Sequence, residues 1–208
     1  EAERQFEVAT FRADGEYVDG RHPSEVEFSD AKTDANRRDF TVNGLFLNPV
    51  TGEVHDWVGG EADIAARTLR TIGDPAERFG EDHLRLLRAV RFAAQVDFKI
   101  ETATWAAVQT HAAQITQVSS ERIRDELLKL FRPPHAAHGL DLLRDSGLLA
   151  HVLPELVDTI GCEQSPAFHP EGDVSNHIRL MLDSMGDDAP VHFPSTILLH
   201  DTPHPPTA

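Results

Sequence analysis

The chain has 208 residues, 40% of them hydrophobic and 26% charged, with a formal net charge of −16 and a single cysteine, Cys162. That length carries one large domain or two small ones, each able to bury its own core. The lone cysteine excludes an intrachain disulfide and a cysteine-rich zinc site, the charge argues against non-specific phosphate binding over the whole surface, and no apolar run of about 18 residues offers a membrane span.

No basic start followed by an apolar stretch suggests a signal peptide, and cysteine usage makes a reducing cytosol the default compartment, so a soluble, cytoplasmic protein without a membrane partner is expected. The chain opens on Glu1 and closes on "HDTPHPPTA", which reads as a piece of something longer. Any nucleic-acid site must be a local positive patch. One is visible between Arg67 and Arg91, where Arg67, Arg70, Arg78, Arg85, Arg88 and Arg91 face only Asp74, Glu77, Glu81 and Asp82.

In chain order, "QFEVATFR" (5–12) alternates like a half-buried strand, and "ADGEY" reads as a turn. The polar stretch to Asp34 reads as a loop. "DFTVNGLFLNPVTGEVHDWVGG" (39–60) predicts a hairpin closed by a Gly-Gly stop. From residue 61 the period turns helical. Asp74 and Pro75 form a helix start, and Leu84, Leu87 and Ala94 supply an apolar stripe. Further helices fit "ETATWAAVQTHAAQI", "SSERIRDELLKLF" with Ser120 as N-cap, and "AAHGLDLLRDSGLL".

The stretch "EDHLRLLRAVRF" (81–92) carries the chemistry. On one continuous helix, Glu81, Asp82, Arg85 and Arg88 fall within an arc of roughly 120°, with Arg91 just beyond it. One reading is a solvated face of i,i+3 and i,i+4 ion pairs. The other follows from hydrogen-bond inventory: a carboxylate only accepts and a guanidinium only donates. Cytosine and adenine each present an amino donor beside a ring-nitrogen acceptor, whereas uracil and guanine present a carbonyl beside an N–H. One Asp–Arg pair therefore accepts C or A and rejects U or G, and Arg88 and Arg91 are spaced to reach phosphates.

"RRDFTVNGLF", "DWVGGEADI", "RTIGDPAERFGEDHLRLLRAVRFA" and "SSERIRDELLKLF" occur in the order and spacing of the class II tRNA nucleotidyltransferases, the CCA-adding and poly(A) polymerase family, which the chain resembles over roughly residues 4–160. The resemblance implies an α+β fold: the C-terminal part of a nucleotidyltransferase head, with β-hairpin and strands (1–60), a mainly helical neck and body (61–160), and the truncated start of an HD-like domain (161–208). It implies that Arg37, Arg38 and Asp39 contact the ribose and triphosphate of the incoming nucleotide. Asp56, Gly59, Gly60 and Asp63 correspond to a hinge, and Asp82 and Arg85 to a template for CTP or ATP, with Glu81 in support. Arg88 and Arg91 match phosphate-side arginines, and Glu121, Arg122 and Glu126 a motif bracing that helix. It further implies addition of C and A to tRNA 3′ ends with Mg2+. The family's metal-binding Gly-Gly-x-x-Arg-Asp…Asp-x-Asp segment does not occur in the sequence, which leaves Glu7 as the one candidate acidic ligand, and this piece is expected to lack catalysis.

The tail resembles the opening of an HD domain, with His177, His200 and Asp201 matching its first metal ligands. "HDTPHPP" departs from that pattern, and weak metal binding is expected. Three alternatives stay open: A-adding or poly(A) polymerase activity, a metal-dependent HD phosphohydrolase, and a non-catalytic RNA-binding module.

Overall fold

The computed structural model describes residues 8–14, 26–162, 172–190 and 192–200. The chain divides into two compact units, Glu1–Asp82 and His83–Ala208.

In the first unit, β1 (Arg12–Asp14) pairs antiparallel with β2 (Val26–Phe28). Residues 8–11 carry no strand, which corrects the one read over 5–12; Phe6 and Glu7 lie outside the described residues. Helix α1 (Ala31–Asn36) follows where a loop was expected. Asp30 caps it by accepting from the Thr33 amide at 2.8 Å, a local signal that the polar composition concealed. A 3-10 turn spans Thr41–Asn43, and β3 (Phe46–Leu47) pairs with β4 (Val54–His55) in the expected hairpin, Phe46 opposite His55.

Helix α2 (Gly60–Ala65) and β5 (Thr68–Leu69) come next. Two backbone bonds, Thr41 N to Arg70 O and Ile72 N to Asp39 O, both 3.0 Å, tie the segment after β5 to the Arg-Arg-Asp tract. Ala35, Phe40, Leu69, Ile72 and Phe79 are buried here. Helix α3 (Pro75–Glu81) begins at the Asp-Pro signal, with the Asp74 carboxylate accepting from the amides of Ala76 and Glu77.

The single helical face expected over 81–91 does not form. Helix α3 ends at Glu81, Asp82 is extended (φ −149°, ψ 106°), and α4 (Leu84–Val96) starts afresh. Angular bookkeeping at 100° per residue holds only along one unbroken helix. Within α4, Arg85 and Arg91 are buried, so neither belongs to a solvated face.

The second unit is helical. Leu86, Leu87, Val90, Ala93 and Ala94 of α4 are buried, and the helix ends at Asp97 in left-handed conformation (φ 52°). β6 (Lys99–Ile100), α5 (Thr102–His111), a 3-10 turn (Ala112–Gln117) and α6 (Ser120–Leu130) follow. Ser119, not Ser120, occupies the N-cap position of α6. Then come α7 (Ala136–Asp145), α8 (Leu149–Val152), α9 (Pro154–Val157), α10 (Val174–Asp183) and α11 (Phe193–Leu199). Helix α4 packs on α6 and α7, α7 on α10, and α10 on α11.

Candidate functional site

In the first unit, Arg37 and Arg38 leave the C-terminus of α1 side by side and share one carboxylate. Asp34 Oδ1 accepts from Arg37 Nε at 2.8 Å, and Asp34 Oδ2 accepts from Arg38 Nε and Nη2 at 3.2 and 3.1 Å. The Asp34 side chain is 3% exposed, against 26% for Arg37 and 40% for Arg38, so the acid lies beneath and the guanidiniums reach solvent. Burial works to raise the Asp34 pKa, but the hydrogen bonds and charges of the two arginines outweigh it and hold the carboxyl below its ordinary value of 3.8. Arg38 is held further by Nη1 donating to the Asn43 carbonyl at 3.1 Å and by the Phe46 ring, 4.8 Å from its guanidinium carbon. Asp39 is buried; its Oδ1 accepts from the Phe40 amide and from Asn43 Nδ2, which fixes the turn after the arginines.

Asp56, Gly59, Gly60 and Asp63 form a second cluster in the same unit. Asp56 accepts from four successive amides, those of Val58, Gly59, Gly60 and Glu61, between 2.8 and 3.1 Å. Partial burial raises its pKa, and the four N–H donors more than reverse that, leaving it below 3.8. Gly59 sits at φ 82°. A Cβ on Gly60 would stand 2.4 Å from the Thr41 carbonyl oxygen, so only glycine lets α2 approach the 3-10 turn this closely. Asp63 Oδ2 accepts from Thr41 Oγ1 at 2.7 Å and from Arg70 Nε at 3.2 Å, locking α2 to that turn.

Glu81, at the end of α3, pairs with Arg78 at 3.0 Å. Arg78 also donates to the carbonyls of Ile72, Arg37 and Asn36, gripping the backbone that carries the arginine pair.

In the second unit, Arg85 is buried in the first turn of α4, while Arg88 is half-buried with the Phe92 ring 5.2 Å from its guanidinium carbon. Arg91 Nε donates to Glu126 Oε2 of α6 at 2.5 Å, Nη1 donates to Gln95 Oε1 at 2.8 Å, and the Phe92 ring lies 3.9 Å away. Both members are nearly buried, at 9% and 5% side-chain exposure. Lys129 Nζ donates to the other oxygen, Glu126 Oε1, at 2.9 Å. Glu121 is exposed and Arg122 half-buried in the first turn of α6.

The His177 and His200 rings lie 5.5 Å apart, with His200 Nδ1 2.7 Å from the Ile197 carbonyl. Asp201 and Glu7 lie outside the described residues. Among the described residues, no group of three or more His, Cys, Asp or Glu side chains is placed to hold a metal ion, and no helix is long and apolar enough to cross a membrane.

Sequence reasoning missed Asp34, Asn43, Thr41 and Gln95, and read Arg70 and Arg78 only as part of a basic patch, whereas they bind Asp63 and backbone carbonyls. Asp34 alone had a legible signal, its i,i+3 and i,i+4 spacing to Arg37 and Arg38.

Two family models match the chain: the poly A polymerase head domain over residues 1–70, and the probable RNA and SrmB-binding site of polymerase A over residues 97–159. The chain belongs to the CCA-adding enzyme and poly(A) polymerase family of nucleotidyltransferases. It is 46% identical over 141 residues to the CCA-adding enzyme of Streptococcus uberis, covering 67% of this chain and 35% of that one. With the CCA-adding enzyme of Streptococcus sanguinis it shares 43% over 157 residues, 75% of this chain and 39% of the relative. The structure resembles the Bacillus stearothermophilus CCA-adding enzyme in complex with CTP, at a TM-score of 0.66 and 27% identity, covering 92% of this chain and 50% of that one. The chain thus spans little more than a third of the length of these curated relatives.

Proposed function

We propose that this chain carries nucleotide-selecting and tRNA-contacting parts of a tRNA nucleotidyltransferase that adds C and A to tRNA 3′ ends from CTP and ATP. The observation that carries the reading is the arginine pair: two half-exposed guanidiniums held on one buried carboxylate, inside the matched head region. Guanidiniums presented this way suit the ribose and triphosphate of a nucleotide, since each offers several donors in a fixed fork. The likeness to CCA-adding enzymes, one of them in complex with CTP, supports the same assignment.

In this reading Asp82 accepts from the exocyclic amino group of C or A, Arg85 donates to the ring nitrogen, and Arg88 serves the phosphate side. Arg91, committed to Glu126, acts through α4 by holding it against α6, with Glu121 and Arg122 at the start of the bracing helix. Asp39 acts through the turn it fixes, and Asp56, Gly59, Gly60 and Asp63 through the geometry of α2. Residues 97–159 face the tRNA. Mg2+ is the metal proposed for the transfer, where it would supply charge neutralisation to the triphosphate. The described residues do not form a site that fits it.

Photocrosslinking of an azido-ATP analogue, followed by peptide mapping, tests the assignment. Saturable labelling of peptides containing residues 37–39 or 82–88, competed by CTP, is expected. Labelling confined to residues 174–200 favours the phosphohydrolase alternative, for which the adjacent His177 and His200 rings are the supporting observation. Saturable labelling of neither region rejects the proposal.

A further inference from the structure

We propose that Asp34 is the positioning residue of the nucleotide site: without touching substrate, it sets the guanidiniums of both Arg37 and Arg38 toward the polyphosphate. The inference rests on the nucleotide-binding reading above and adds to it a residue outside the Arg-Arg-Asp motif. Asp34 lies within α1, three and four residues ahead of the arginines that follow the helix, and gives one oxygen to each of them. Arg37 Nη2 stands 2.7 Å from the oxygen that also accepts from Arg37 Nε, so both bonds use one edge of the guanidinium. Arg38 likewise spends Nε and Nη2 on the other oxygen.

Two adjacent cations repel each other, and without a shared counter-charge their long side chains would spread through many rotamers. A single buried carboxylate between them offsets the repulsion and removes that freedom before ligand arrives, which is the condition for a strong contact to a multiply charged anion. The depressed Asp34 pKa keeps the carboxylate ionised throughout the neutral range. Asp34 itself is 2% exposed, which denies it direct contact with a ligand in solution.

The test is calorimetric titration of ATP and of inorganic tripolyphosphate into the chain in metal-free buffer, for the unaltered protein, Asp34→Asn and Asp34→Glu, with the unfolding midpoint of each measured in parallel. The asparagine keeps the shape but turns an NH2 group toward one of the arginines. Affinity for both ligands is expected to fall about tenfold in Asp34→Asn, with partial recovery in Asp34→Glu, which restores the charge. A purely structural role would instead move the unfolding midpoint while leaving the affinity of the folded fraction unchanged, and that outcome overturns the inference alone. An unaltered chain that binds neither ligand overturns the nucleotide-binding reading and this inference together. Should Asp34→Asn not fold, the arginine Nε–H resonances of the unaltered chain carry the test. Two exchange-protected signals that shift on addition of ATP support positioning, and freely exchanging signals contradict it.

Discussion

Replacing Glu126 by alanine leaves the Arg91 guanidinium inside the packing between α4 and α6 with its main counter-charge gone. The pair is nearly buried on both sides, at 9% and 5% side-chain exposure. Removing one partner of a buried ion pair costs about 3–5 kcal/mol, because the survivor keeps its desolvation without compensation. Arg91 retains Gln95 Oε1 at 2.8 Å and the Phe92 ring at 3.9 Å, which places the expected loss near the lower end, about 3 kcal/mol. Lys129, 48% exposed, gives up only a surface partner worth at most about 1 kcal/mol, so Lys129→Ala serves as a control. Urea unfolding followed by circular dichroism measures both changes. The paired replacement Arg91→Met with Glu126→Leu, set against each of these two single replacements, is expected to be much less destabilising than their sum, giving a coupling of about 2 kcal/mol or more. A Glu126→Ala loss under about 1 kcal/mol refutes the view that this pair holds α4 on α6. The same reasoning makes Arg91→Ala a stability mutation, whose effect on nucleotides must be read in the folded fraction.

Two glycines give opposite expectations. Gly60→Ala drives a Cβ to 2.4 Å from the Thr41 carbonyl oxygen, a backbone atom with little room to yield, and is expected to cost at least 1–3 kcal/mol, roughly the range for overpacking. Gly80→Ala, in α3 with nothing within 4 Å of the added carbon, is expected to stabilise by up to about 1 kcal/mol; thermal midpoints of the two variants moving in the same direction contradict the geometry. The pH dependence follows from Asp34 and Asp56, whose folded pKa values lie below the ordinary 3.8. Groups depressed in this way contribute stability that is fully present above the unfolded value and is lost as pH falls through the folded one. Acid titration should therefore show the contribution of these two carboxylates intact above about pH 4 and disappearing below it, and Asp34→Asn should flatten part of that loss.

What the sequence disclosed was local and periodic. The β3–β4 hairpin and the Asp74–Pro75 helix start were legible because turn and cap chemistry act within a few residues. Helix α1 was hidden because six residues are too few to display a 3.6 period, and with it went the reason that Asp34 matters. The charged stretch 81–91 was misread as one face because nothing local announces the extended Asp82; the break is a backbone choice between two well-patterned helical segments. The environment of Arg91 depends on Glu126, 35 residues away in the chain, and on Gln95, so its burial was invisible to any short-range pattern.

The central claim, selection of C and A, is tested most directly by equilibrium competition among ATP, CTP, GTP and UTP for the folded chain and for Asp82→Ala. ATP and CTP are expected to bind ahead of GTP and UTP by roughly ten- to a hundredfold, the value of a charged hydrogen bond, and Asp82→Ala should narrow that gap by weakening ATP and CTP selectively. Equal affinity for all four nucleotides, or a loss in Asp82→Ala shared equally by the four, contradicts the account.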